Sequence, residues 1–254
     1  MIYELYIIEL KSGIPFIDKT YRKVHFGTHN TLISGLLHVI YQLFNAEMEI
    51  GNVKSVATKE YKLIYLVYKD LLIVALADII LNESQVQRMI ESIATTFYGE
   101  FETTLTNWTN NVVLFRPFIP KMDSIVIGTI SDLFFEEYPT NIVGLVDYLD
   151  KNYTLEYQEL IGKSLAEKIL TERYNQVANQ RNLKKELSKF TVIKRLTDHF
   201  IELSVCPFCR KKDSPVPICN FVGGFIKGLL QSDAWVEKTC VSCGDSSCTF
   251  SNEG

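Results

Sequence analysis

Apolar and polar positions alternate loosely over residues 2–10, a stretch rich in Ile and Tyr, and predict a strand. Lys11-Ser12-Gly13 is a tight turn into a second extended run through Ile14, Phe16 and Ile17, so the chain opens on a hairpin. The period then lengthens. Leu32, Ile33, Leu36, Leu37, Ile40, Leu43 and Phe44 recur at three and four residues behind a capping Asn30 or Thr31, which predicts a helix with one broad apolar stripe. After Gly51-Asn52, short strands are expected over 53–58, 62–68 and 71–78, the last two joined by a Lys69-Asp70 turn. Val86, Met89, Ile90, Ile93, Ala94 and Phe97 return to helical spacing, opened by Asp78 or Asn82. The order strand, strand, helix, three strands, helix predicts an antiparallel five-stranded sheet with helices against it, an α+β unit of two layers.

Pro117 and Pro120, flanking Phe118-Ile119, remove helix donors and predict an extended linker over 116–123, dividing the chain into domains 1–116 and 123–254. The second domain begins helix-rich, with helices expected over 125–135, 141–149 and 155–174, a polar loop or frayed helix end over 175–182 and a further helix over 183–193. Phe200, Ile201, Leu203 and Val205 then form a strand pattern. Residues 219–230 have the helical spacing of Phe221, Val222, Phe225, Ile226 and Leu229, while Gly223, Gly224 and Gly228 bare the backbone for close packing. Strands are expected over 234–241 and 248–251, joined by a turn at Ser242-Cys243-Gly244-Asp245, which places Cys240 and Cys248 near each other across the hairpin.

Length agrees with two units: 254 residues exceed the usual single domain. A net charge of −4 gives no broad footprint for nucleic acid or an anionic membrane. The one basic cluster is Arg181, Lys184, Lys185, Lys189, Lys194 and Arg195, interrupted by Glu186 and Asp198; such a run is usually a solvated helix face, with a partner-binding patch as the alternative. The first residues lack the pattern of a secretory signal, and no apolar segment is long enough for a transmembrane helix, so a soluble cytoplasmic protein is expected. His25, His29 and His38 show no metal spacing, and His199 beside Phe200 is expected to be packed.

All six cysteines lie between Cys206 and Cys248. Cys206 and Cys209 form a C-x2-C pair, Cys240 and Cys243 a second, and Cys219 and Cys248 stand around them. Two such pairs let four sulfurs converge on one cation, the spacing of a tetrahedral thiolate zinc site. Buried reduced thiols and disulfides are the alternatives. Four thiolates would close the coordination sphere, so the zinc is expected to be structural and the chain non-enzymatic.

The opening IYELYIIELKSGIPFIDKTY and the element order over about residues 1–115 resemble the longin domains of membrane-trafficking proteins and their archaeal relatives, with the related roadblock fold as alternative. Over residues 200–252, PICNFVGGFIKGLL, VEKTC, GD and CTF resemble the C-terminal part of the 4-vinyl reductase domain family, which has distant relatives among TRAPP tethering subunits. In the phenol-sensing members of that family, zinc is held by residues whose positions match Cys219, Glu237, Cys240 and Cys248. Here a thiolate of the Cys206/Cys209 pair is expected to replace Glu237. The resemblance implies a longin-like domain followed by a helix-rich α+β 4-vinyl reductase-like domain with a cysteine cluster. It implies a scaffold or regulator that associates with a small GTPase or with copies of itself as a homo-oligomer. The alternative is a sensor holding an aromatic or lipid-like small molecule in an apolar pocket of the second domain.

Overall fold

The computed structural model describes residues 2–22, 30–43, 54–79, 81–209 and 218–254. The chain divides into two compact units, 1–129 and 130–254.

In the first unit β1 (Ile2–Glu9) and β2 (Pro15–Thr20) form the expected hairpin, turned by Gly13 at φ +73°. α1 (Asn30–Gln42) follows, then β3 (Ser55–Ala57), β4 (Tyr61–Tyr68), β5 (Leu71–Asp78) and α2 (Glu83–Thr106). The sheet order is β2-β1-β5-β4-β3, with every neighbouring pair antiparallel. Lys69 takes φ 54° in the two-residue turn between β4 and β5. Asn82 caps α2 by accepting the amide of Ser84 at 2.9 Å. All six apolar positions read from that helix are buried.

The unit has three layers rather than the expected two. β5 is buried from Leu71 through Ala75 and β1 from Ile2 through Ile8, so both faces of the central strands are covered. Tyr6, Ile8, Leu72 and Val74 pack with Leu37 and Tyr41 of α1. By the two-residue alternation Leu5, Ile7, Ile73 and Ala75 face the other side, where α2 lies on β4 and β5.

The expected linker is also corrected. Residues 116–123 are helical: a 3-10 helix covers Val112–Phe118 and α3 covers Ile119–Glu137. Phe115 and Phe118 are fully buried against Phe97 and Phe101 of α2, each burial contributing about 2–3 kcal/mol, and Asp123 accepts from Tyr21 at 3.0 Å. Pro120 sits in the first turn of α3, where its missing N–H has no helical partner to lose. Burial of the intervening aromatics therefore outweighs the proline signal, and α3 carries the chain from the first unit into the second.

In the second unit α4 (Ile142–Asn152) and α5 (Leu155–Tyr174) match the expected helices, whereas residues 183–193 do not form one helix. They divide between α6 (Gln180–Leu187) and β6 (Val192–Leu196), followed by β7 (Phe200–Val205). α7 (Asn220–Leu230), β8 (Trp235–Thr239) and β9 (Cys248–Asn252) complete it, with antiparallel sheet order β6-β7-β9-β8.

α5 and α7 meet backbone to backbone. A Cβ added to Gly162 would stand 2.2 Å from the carbonyl oxygen of Phe221, and one on Gly224 1.9 Å from that of Glu159. The rings of Phe221 and Phe225 fill the space around this seam with Phe134, Tyr138, Phe190 and Phe208. α6 is anchored by Glu186, whose buried carboxylate accepts from Tyr138 at 2.7 Å and from Tyr174 and Lys189.

Candidate metal centre

Four segments of the second unit deliver thiols to one place. Cys206 follows β7, and a tight turn in which the Cys209 amide donates to the Cys206 carbonyl at 3.4 Å brings Cys209 back beside it. Cys219 is the N-cap of α7, Cys240 ends the β8 segment, and Cys248 opens β9. The hairpin register, with Thr239 opposite Thr249, is what sets Cys240 and Cys248 side by side.

Cys209 Sγ lies 2.7 Å from that of Cys219, 3.2 Å from Cys240, 3.5 Å from Cys248 and 3.6 Å from Cys206. Cys219 is 3.2 Å from Cys206, 3.5 Å from Cys248 and 3.8 Å from Cys240. All five are buried and free. With zinc–sulfur bonds of about 2.3 Å, the edge of a thiolate tetrahedron is about 3.8 Å. The observed separations lie at or within it.

Two ligand groups have donor atoms that all lie within 4.8 Å of one another: Cys206, Cys209, Cys219 and Cys248, and Cys219, Glu237, Cys240 and Cys248. The sulfur–sulfur separations add Cys209, Cys219, Cys240 and Cys248 as a third. Every group contains Cys219 and Cys248.

Glu237, on β8, points one carboxylate oxygen at the Cys219 amide, 3.1 Å away, and its other oxygen is buried without a hydrogen-bond partner. Burial first, then the neighbouring Cys240 thiolate, pushes its acid up to about 8. The thiols divide the charge. Cys240 is held down at about 4, first by the hydrogen bond from Cys219, and Cys248 well below the usual thiol range, first by that from Cys206. Cys209 and Cys219 are pushed up, each first by its hydrogen bond to Cys206. Soft sulfur donors, thiolates already favoured and a buried carboxylate oxygen without a partner together fit a thiophilic divalent cation, which would displace the remaining protons. A pocket of about 220 Å³ lined by Glu159, Gly223, Lys227, Trp235 and Phe250 also borders Cys219 and Glu237.

Cys243 stands apart. It is exposed on the turn, whose backbone reverses at Gly244 with φ +94°, so a ribbon built on both C-x2-C pairs is not the arrangement of this fold. Three supporting groups escaped the sequence reading. Ser242 Oγ lies 2.9 Å from Cys240 Sγ, the Val241 amide donates to Cys248 Sγ at 3.4 Å, and Asp245 accepts the Cys240 amide at 2.9 Å. Their one sequence signal is position within the turn between two cysteines.

The histidines take no part among the described residues. His38 Nε2 lies 2.8 Å from the Leu10 carbonyl, as a satisfied side chain, and His199 is exposed rather than packed because it sits at the bend before β7. His25 and His29 lie outside the described residues. No helix of the described residues is long and apolar enough to cross a membrane. No family model matches the chain, and no curated protein matches it.

Proposed function

We propose that this chain is a non-enzymatic scaffold whose second unit is locked by a structural zinc ion. The convergence of five buried sulfurs from four chain segments carries the reading. Cys219, Cys240 and Cys248 hold the ion with Cys209 as fourth ligand, because the Cys209 sulfur is within 3.5 Å of all three. Four thiolates leave zinc no open position for water or substrate, so the ion acts as a clamp between α7 and the β8–β9 hairpin.

The scaffold is of membrane-trafficking type, a longin-like unit followed by a 4-vinyl reductase-like, TRAPP-related one, and it associates with a small GTPase or with itself. The first unit's element order and sheet order support this reading. So does an exposed apolar stripe, Leu36, Val39 and Leu43, at 58, 60 and 49% exposure. The sensor alternative has less support: the glycine seam fills the space between α5 and α7, and the pocket beside α7 carries the charged Glu159 and Lys227 and the polar Glu237.

The test is metal analysis of the purified full-length protein and of single alanine variants at the six cysteines. One zinc per chain is expected, retained in Cys243→Ala and lost in Cys209→Ala, Cys219→Ala, Cys240→Ala and Cys248→Ala, with loosening of the second unit. Zinc retained in all six would defeat the clamp. A monomer that captures no GTPase loaded with GDP or GTP would defeat the scaffold.

A further inference from the structure

The basic residues that sequence spreads over 181–195 become one groove in the fold. α6 and β6 border a cleft of about 400 Å³, lined by Arg181, Lys184, Lys194 and Arg195, with Ile193 and Leu196 as its apolar part. All four cations are exposed, while the two apolar residues are half-buried. The acids at hand do not neutralise them. Glu202 pairs with Lys194 at 2.7 Å, and Asp198 accepts from Gln180. Glu186, one residue before the end of α6, is fully buried and taken by Tyr138, Tyr174 and Lys189. Arg181, Lys184 and Arg195 make no ion pair among the described residues; Arg195 rests on the ring of Phe200 at 5.5 Å. A chain of net charge −4 thus gathers four cations in one cleft, and Glu202, which pairs with Lys194 and stands opposite Arg195 in the β6–β7 register, offsets only part of that charge.

The same cleft borders a sheet edge. Among the described residues β6 pairs with β7 alone, so one row of its backbone donors and acceptors has no strand partner there. Its register slips between Val192 and Ile193 and again between Ile193 and Arg195. Such bulges twist a strand and re-aim its side chains, here allowing the successive Lys194 and Arg195 both to line the cleft.

We propose that this cleft docks an acidic, extended peptide segment of a partner protein. The segment adds as a strand to β6 and sets its carboxylates against Arg181, Lys184 and Arg195. A phosphate or an anionic lipid headgroup would use the cations alone. The unpaired strand edge supplies main-chain hydrogen bonds to a peptide, and Ile193 and Leu196 take up its alternate apolar side chains. Charge selects the sequence and speeds the encounter. The proposal stands independently of the ion at the thiol cluster.

The full-length protein would be titrated into a fluorescently labelled peptide of alternating Glu and Val, read by anisotropy over a range of salt. Saturable binding that weakens as salt rises is expected. The double variant R181E/K184E should lose about tenfold in affinity or more, with zinc content and thermal unfolding unchanged to show an intact fold. A peptide methylated at alternate backbone amides should not bind, since strand addition needs those donors. The proposal is overturned by absence of saturation up to millimolar peptide, by equal affinity in the charge-reversed variant, or by undiminished binding of the methylated peptide. Phosphatidylserine vesicles, inorganic phosphate or duplex DNA binding the groove where the peptide does not would overturn it as well.

Discussion

Gly223 and Gly224 are neighbours on α7, yet an alanine at each is expected to act in opposite directions. At Gly224 the added Cβ would lie 1.9 Å from the Glu159 carbonyl oxygen and 2.8 Å from its carbon, well inside the 3.4 Å at which contact becomes ordinary. The obstacle is backbone, so no rotamer change relieves it, and α5 and α7 must part along their seam. Overpacking of this kind costs about 3 kcal/mol at the upper end of its range, against about 1 kcal/mol gained in helix propensity. A net loss of about 2 kcal/mol results. At Gly223 the nearest atom to the added Cβ is Phe250 Cε1 at 3.6 Å, an ordinary contact. There the propensity gain stands almost alone, and Gly223→Ala should stabilise by about 0.5–1 kcal/mol. For a unit of this size about 3–5 °C accompanies each kcal/mol, so the two midpoints should differ by about 10 °C. Calorimetry of the full chain at saturating zinc reads this directly. Equal shifts, or a more stable Gly224→Ala, would show that the helices do not meet through their backbones.

Glu186→Gln should destabilise the second unit by about 2–3 kcal/mol at neutral pH, because it weakens the charge-assisted hydrogen bonds of a fully buried carboxylate. Burial raises the Glu186 pKa, but the hydrogen bonds from Lys189, Tyr174 and Tyr138 outweigh it and leave it below the usual carboxylate range. A depressed folded-state pKa stabilises above the unfolded value and is lost as pH falls through the folded one. The midpoint of the wild type should therefore fall more steeply on acidification than that of the variant; parallel acid limbs would count against the network. In the first unit, Phe118→Ala should cost about 3–5 kcal/mol, read by urea unfolding. Residues 116–123 should correspondingly resist limited proteolysis in the wild type, and early cleavage there would contradict their packing.

Periodicity carried the sequence reading wherever one face of one element decided the outcome. The six apolar residues of α2 and the hairpin of β1 and β2 are of that kind. It failed where a partner in space decided. Leu183, Leu187, Phe190 and Ile193 continue a helical spacing, but the pairing of Ile193 with Leu203 in β7 claims the end of that run as a strand. Two layers were expected from the element order alone, whereas the loose alternation of β1 reflects burial of both of its faces. The thiol site divides in the same way. Spacing named the two C-x2-C pairs, of which Cys206, Cys209 and Cys240 converge, since short loops hold their sulfurs close whatever the rest of the chain does; Cys219 and Cys248 were named as ligands by the family resemblance. What spacing could not supply is the physical reason: the left-handed backbone at Gly244 leaves Cys243 outside, and the register of a sheet and the start of a helix coincide to bring Cys219 in.

The two features that define the second unit act on the same helix. The thiol cluster grips α7 at its N-cap through Cys219, and the glycine seam grips it along its length through Gly224 and Gly228. Cys209 and Cys248 bracket a segment long enough that an ion joining its ends would restrict the unfolded chain strongly. That restriction favours the folded unit only if α7 is already seated, because Cys219 reaches the other sulfurs from the first residue of the helix. Close packing against α5 is thus a condition for the site, and the site in turn holds the helix end against the β8–β9 hairpin, whose outer face leaves Val236 39% exposed. A bound ion would therefore make one cooperative body of α5, α7 and the sheet.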